Sequence, residues 1–335
     1  ADKPGAVIVT DTNGQVLAIY SSPSFDPNIF VNEVEADKVD AVLNDKNLPM
    51  FNRAIGGLFH PGSVFKPIVA IAALEEGKID ADFVYDDPGQ ITIKSVYGTF
   101  TYSNWYFTQY GRKEGLIEIK RAITRSTDTF FYKIGELTGI EKLEEWANLF
   151  GLDEKTGIDI PGEIAGLVPN PQWKLETRNE PWFLGNTYHV SIGQGDIALT
   201  PLGVNRAISG IAASGKICSP ALVKEPECKN LVIHEANLEL VKEGMRGACL
   251  AGGTAFTFFN FEEKTGTKVA CKTGTAETEE KGKTHAWLSV FGPVDVSAGG
   301  PEIVATVMVE KGGEGAYIAG PIARGIFDFW FDESQ

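Results

Sequence analysis

Lys268-Val269-Ala270-Cys271-Lys272, Ala286-Trp287-Leu288-Ser289-Val290-Phe291 and Ile303-Val304-Ala305-Thr306-Val307-Met308-Val309 are three strand-like runs, separated by turns, in the final third of a 335-residue chain. Runs this close in sequence favour antiparallel pairing, because a parallel crossover needs a dozen or more residues. Pro321 to Phe331 reads as a closing helix. At the other end of the chain, Ala6-Val7-Ile8-Val9 and Val16-Leu17-Ala18-Ile19-Tyr20 form a hairpin across Asp11-Thr12-Asn13-Gly14. Added to the three C-terminal strands, the hairpin completes a five-stranded antiparallel sheet. The expected class is therefore α+β. A sheet subdomain of about residues 1–60 and 266–335 is interrupted by a mainly helical lobe of about 61–265, all within residues 1–335.

The lobe opens on Gly57-Leu58-Phe59-His60-Pro61-Gly62-Ser63-Val64-Phe65-Lys66-Pro67. A helix starting at about Ser63 brings the Ser63 hydroxyl and the Lys66 amine onto one face. Pro67 fits only the first turn, where backbone N–H groups have no helical partner, and Gly77 is the expected stop. Val64 to Leu74 is apolar on all sides, which predicts a buried helix. A lysine buried there is pushed toward its neutral form and is able to take a proton from Ser63. The residue types equally allow an N-cap serine and a snorkelling lysine.

Residues from about 22 to Met50 read as polar and irregular, and Asp80 to Gly115 as loop-rich with short strands such as Gln90-Ile91-Thr92-Ile93. Helices are expected around Ile117–Ile123, Phe130–Leu137, Glu141–Phe150, 201–213 and 236–250. Thirty Lys and Arg against 45 Asp and Glu give a net charge of −15, which argues against nucleic-acid and anionic-membrane surfaces. No apolar run is long enough to cross a bilayer. The chain opens at Ala1 with neither an initiator methionine nor a signal pattern, as expected of an excised or processed piece.

The four histidines and four cysteines show no metal-ligand spacing, so no metal and no cofactor are expected. Cys218 and Cys228 flank a Pro-containing stretch and are able to pair in an oxidising compartment, but the reading favours four buried thiols.

Two further segments join Ser63-x-x-Lys66. Ser126-Thr127-Asp128 lies in an apparent break between helices and is preferred over Ser103-Asn104-Trp105, whose position two residues on is an aromatic in a loop-rich region. Lys-Thr-Gly occurs at 155, 264 and 272, and only Lys272-Thr273-Gly274-Thr275 extends a strand. On a strand beside a cleft, Gly274 is expected to let a substrate backbone approach, with Lys272 and the threonine hydroxyls holding a carboxylate.

The ordered set Ser-x-x-Lys, Ser-x-Asp and Lys-Thr-Gly resembles that of serine β-lactamases and penicillin-binding proteins. Along almost its full length the chain is similar to the transpeptidase domain of class B, monofunctional penicillin-binding proteins. Ser24 to Asn28, Asn52-Arg53-Ala54, Thr156 to Glu163, Ser191 to Gly195, Thr200-Pro201-Leu202 and Lys272 to Glu277 carry that resemblance. Asp128, where asparagine is usual, together with Asp128 to Tyr132 and His285-Ala286-Trp287, looks most like the elongation, or rod-shape, branch. Some members of that branch hold zinc between the first two motifs. With no His or Cys between His60 and His189, no such site is expected here.

The resemblance implies the β-lactamase/transpeptidase-like fold and a serine D,D-transpeptidase that cross-links peptidoglycan and is acylated by β-lactams. By carry-over, Ser63 is the nucleophile, Lys66 the base, and Ser126 with Lys272 the proton relay. Asp128 orients Lys66 and the substrate amide. Thr273, Gly274 and Thr275 bind substrate, and the backbone N–H groups of Ser63 and Thr275 form the oxyanion hole. It further implies stem peptides ending in D-alanyl-D-alanine, a membrane glycosyltransferase partner, and a place on the outer face of the bacterial cytoplasmic membrane, with an anchor and pedestal absent from this chain. Competing readings are a D,D-carboxypeptidase, a serine β-lactamase and a non-catalytic β-lactam sensor. For hydrolysis, Glu163 and Glu176 are the candidate deacylating bases.

Overall fold

Five antiparallel strands form the central sheet, in the order Val16–Ser22, Gly5–Thr10, Ile303–Val309, Thr284–Gly292, Ala270–Glu277. They belong to a computed structural model that describes residues 3–31, 36–294 and 302–331. The N-terminal hairpin thus inserts its first strand against Ile303–Val309, pairing Val7 with Val307. This leaves Ala270–Glu277 as a free edge, with Lys272 opposite Ser289 and Gly274 opposite Trp287 on the neighbouring strand.

Alternation along the strands divides the core in two. Ala270, Ala276, Trp287, Phe291, Val304 and Met308 face the helical lobe. Cys271, Leu288, Val290, Ala305 and Val307 face the other way, against Phe258, Phe261 and the closing helix residues Ala323 and Phe327. Lys272 and Gly274, in phase with Ala270 and Ala276, therefore belong to the lobe side.

The lobe packs around Lys66–Glu75, buried from Lys66 to Leu74. This helix begins three residues later than expected. Gly62–Phe65 is a tight 3₁₀ turn in which the Lys66 N–H donates to Ser63 O, and Ser63 caps nothing with its side chain. In a three-residue turn, side chains three apart eclipse, so the tighter geometry stacks Ser63 and Lys66 more directly than an α-helix would.

Other boundaries also differ. Ala36–Leu43 is helical within the stretch read as irregular. The closing helix starts at Gly315, and Pro321 lies inside it. Pro321 is on the exposed face, where a missing backbone bond is open to water.

The cysteine reading is corrected. Cys218 pairs with Cys228, and Cys249 with Cys271. The second bond is buried and joins the end of the helix Glu235–Ala248 to the edge strand, immediately before Lys272. A separation of 22 residues carries no spacing signal, and only the fold brings the two together.

Candidate active site

A cleft of about 950 Å³ runs between the edge strand and the lobe, and Ser63, Ser126, Asp128, Thr273 and Thr275 all line it. Three backbone devices converge there. The first is the turn carrying Ser63. Gly62 has φ +56°, and its N–H donates to Gly193 O at 2.8 Å. A Cβ on Gly193 would sit 2.1 Å from Gly62 O, so Ser191 to Gly195 is the cradle of the Ser63 turn.

The second device is Ser126, in the left-handed region at φ +56°. It ends the helix Ile119–Arg125, with its N–H bonded to Ile123 O, and Thr127 then enters the helix Asp128–Thr138. A left-handed serine is uncommon, and here the sharp reversal turns its hydroxyl between two lysines. Asp128 follows in the first helical turn, where the helix dipole favours an anion.

The third device is the edge strand. Lys272 is fully buried on its lobe side and reaches Ser126 Oγ at 2.8 Å, while its own Thr273 O accepts at 3.1 Å. Thr273 and Thr275 point to the other side of the pleat. Thr273 Oγ1 donates to Thr254 Oγ1 at 2.7 Å, and Thr275 Oγ1 accepts from Gly315 N–H at 3.2 Å.

A Cβ on Gly274 would meet Pro61 O and Trp287 Cβ at 3.0 Å and Val64 Cγ1 at 3.1 Å, so on that side its bareness admits the Ser63 turn. The strand's main chain is accordingly close to the Ser63 turn, with Thr275 O 3.2 Å from where a Gly62 Cβ would be.

Lys66 Nζ donates to Ser126 O at 2.9 Å, Ser126 Oγ at 3.2 Å and Asp128 Oδ1 at 2.6 Å. Nζ thus faces three oxygens, and the side chain is wholly buried. Burial pushes this amine below the ordinary lysine value, and the charge and hydrogen bond of Asp128 oppose without overcoming it. Burial, followed by the charge of Lys66, holds Lys272 well below that value, with Asp128 again opposing. The lowering moves both amines toward the neutral form that accepts a proton. Ser126 Oγ, bonded to both nitrogens, is placed to pass one between them.

Ser103-Asn104-Trp105, set aside on sequence grounds, borders the same site. Trp105 N–H donates to Asp128 Oδ2 at 2.9 Å, and Ser103 and Trp105 line the cleft. The rejected serine and its buried asparagine were the available signal, but they support the second motif rather than replace it. The other two Lys-Thr-Gly triplets lie elsewhere. Thr156 and Gly157 bind the Glu163 carboxylate, and Lys264-Thr265-Gly266 ends a short helix. Glu163 is thus engaged in a turn and Glu176 is exposed, and neither lines the cleft. Among the described residues, no group of three or more His, Cys, Asp or Glu is arranged to hold a metal ion.

The family model for the penicillin-binding protein transpeptidase domain matches residues 5–328. The chain belongs to this family. Within it, the domain is similar to the peptidoglycan D,D-transpeptidase MrdA of Haemophilus influenzae, with 33% identity over 98% of this chain and 53% of that protein. The domain thus spans about half the length of the curated relatives it matches. Among solved structures it resembles PBP2 of Pseudomonas aeruginosa in complex with WCK 5153, at TM-score 0.89 and 31% identity, covering 99% of this chain and 72% of that one. It also resembles PBP2 of Helicobacter pylori in complex with MreC, at TM-score 0.87 and 31% identity, covering 99% and 61%.

Proposed function

We propose that this domain is a serine D,D-transpeptidase that cross-links peptidoglycan stem peptides and is covalently inhibited by β-lactams. The observation that carries the reading is Ser126 Oγ held between two fully buried lysines beside the Ser63 turn. Lys66, in its neutral form, takes the Ser63 proton as Oγ attacks the penultimate carbonyl of a D-alanyl-D-alanine stem. The C–O bond forms, the C–N bond breaks, and the proton travels through Ser126 to the departing D-alanine amine, with Lys272 completing the relay. The amine of a second stem then attacks the ester, displaces Ser63 Oγ and returns its proton.

Backbone N–H groups of Ser63 and Thr275 serve the developing oxyanion, each donor worth about 2.7–4 kcal/mol in acyl transfer. Thr273 and Thr275 take the terminal carboxylate, and Gly274 brings them against the nucleophile turn. Asp128 orients Lys66.

Two disulfides support a home outside the cytoplasm, since such bonds persist in oxidising compartments. The length of the relatives supports reading the chain as one module of a longer protein anchored at the outer face of the cytoplasmic membrane. The family resemblance supports a membrane glycosyltransferase as one partner, and the likeness to PBP2 in complex with MreC supports an MreC-like protein as another.

Intact-mass analysis after incubation with a fluorescent penicillin tests the reading. A stable adduct lost in Ser63→Ala supports it, and labelling that persists in the variant sinks it. A D-alanyl-D-alanine thioester supplied with an acceptor amine separates transfer from hydrolysis, and rapid regeneration of free enzyme would point to a β-lactamase.

A further inference from the structure

Asn104 is fully buried, lies outside all three motifs, and joins two carboxylate-bearing segments. Its Oδ1 accepts the Asp128 backbone N–H at 3.1 Å, and its Nδ2 donates to Asp87 Oδ2 at 3.4 Å. The partners fix which end of the amide is which, since a carboxylate only accepts and a backbone N–H only donates. Asp87 is 1% exposed, and among the described residues no cation pairs with it. It is held instead by Gly89 N–H and Glu114 N–H, both at 2.8 Å, and by Thr129 Oγ1 at 2.6 Å. The Asn104 N–H donates to Gly89 O at 2.8 Å, closing the same turn. Trp105, next in the chain, donates its N–H to Asp128 Oδ2 and its Nε1–H to Arg125 O at 3.0 Å. The outer oxygen of Asp128 and its backbone are therefore both held by residues 104–105, which leaves Oδ1 toward Lys66. A buried hydrogen-bonded network of this kind couples the position of one group to the next.

We infer that Asn104, seated on Asp87, is a positioning residue for acylation: it fixes the start of the Asp128 helix and, with Trp105 N–H, turns Asp128 Oδ1 onto Lys66. The inference deepens the proposed transpeptidase reading and rests on it. Asn104 touches no reacting atom, so its whole effect passes through Asp128. A purely structural asparagine would instead lower stability and activity regardless of what stands at 128.

The test is a double-mutant cycle on the rate of acylation by a fluorescent penicillin, with melting temperature followed in parallel. Asn104→Ala is expected to slow acylation about tenfold in the wild-type background and less than about twofold in Asp128→Asn. Equal losses in the two backgrounds overturn the inference. If Asn104→Ala does not fold, Asp87→Asn takes its place in the same cycle with the same expectation. A wild-type domain that forms no adduct overturns the proposed function instead. The inference is then decided by a crystal structure of Asn104→Ala. Asp128 Oδ1 displaced beyond about 3.5 Å from Lys66 Nζ supports it, and Oδ1 still within that distance overturns it.

Discussion

Asp128 Oδ1 lies 2.6 Å from Lys66 Nζ, yet burial of the lysine outweighs the carboxylate and keeps the amine below its ordinary value. The carboxylate therefore opposes the shift that burial imposes on the proposed base. In Asp128→Asn the opposing charge is gone, so the Lys66 value falls further and the neutral form persists to lower pH. The rising limb of the acylation rate against pH is expected to move toward acid, with the alkaline plateau down by no more than about tenfold, the worth of one hydrogen bond. A limb that stays in place or moves toward alkali would contradict Lys66 as the base.

Lys272 makes a stability prediction with a definite sign. Its folded-state value lies well below 10.5, so between the two values the unfolded chain binds a proton that the folded chain lacks. Stability then rises with pH through that window and is lost as pH falls. Lys272→Met removes the cost and is expected to melt about 2–4 °C higher at pH 6, with the gain shrinking toward pH 9 while acylation is abolished. Thermal melts at the two pH values check this, and a gain that grows with pH would refute it.

Much of this arrangement was legible in the residues. The spacing of the C-terminal apolar runs and the N-terminal hairpin implied the sheet, and the all-apolar stretch after Ser63 implied a buried helix. Local pattern could not supply what depends on non-local approach. Cys249 meets Cys271 only because the helix Glu235–Ala248 ends beside the edge strand. Asn104 matters only because its segment folds over the start of the Asp128 helix. A glycine on a strand signals a close approach without saying from which side, and at Gly274 the Ser63 turn fills the place a side chain would take.

The two disulfides separate stability from placement. Closing chain separations of 10 and 22 residues is worth about 3 kcal/mol in each case. Replacing either pair by alanine is therefore expected to lower the melting temperature comparably. Only the Cys249–Cys271 pair adjoins Lys272 and the stretch leading to Thr254, which receives the Thr273 hydroxyl. Only its loss is expected to slow acylation, by about tenfold. Chemical melts and penicillin labelling on both double variants distinguish the effects, and equal slowing by both pairs would count against this division.

Gly274→Ala tests the packing of the edge strand on the Ser63 turn. Gly274 does not have a positive φ, so the added methyl introduces no backbone strain, and its whole effect is steric. It would press on Pro61 O, Trp287 Cβ and Val64 Cγ1 at 3.0–3.1 Å, and relief requires the strand to move a few tenths of an ångström from the Ser63 turn. Overpacking of this kind costs about 1–3 kcal/mol. The shift also changes the distance from the Ser63 hydroxyl to the Thr275 backbone, and misplacements near this scale cost about tenfold or more in rate. Gly193→Ala should be harsher, because its methyl would lie 2.1 Å from Gly62 O at a φ of +73°. Acylation at the wild-type rate in Gly274→Ala would show that the glycine faces open cleft after all.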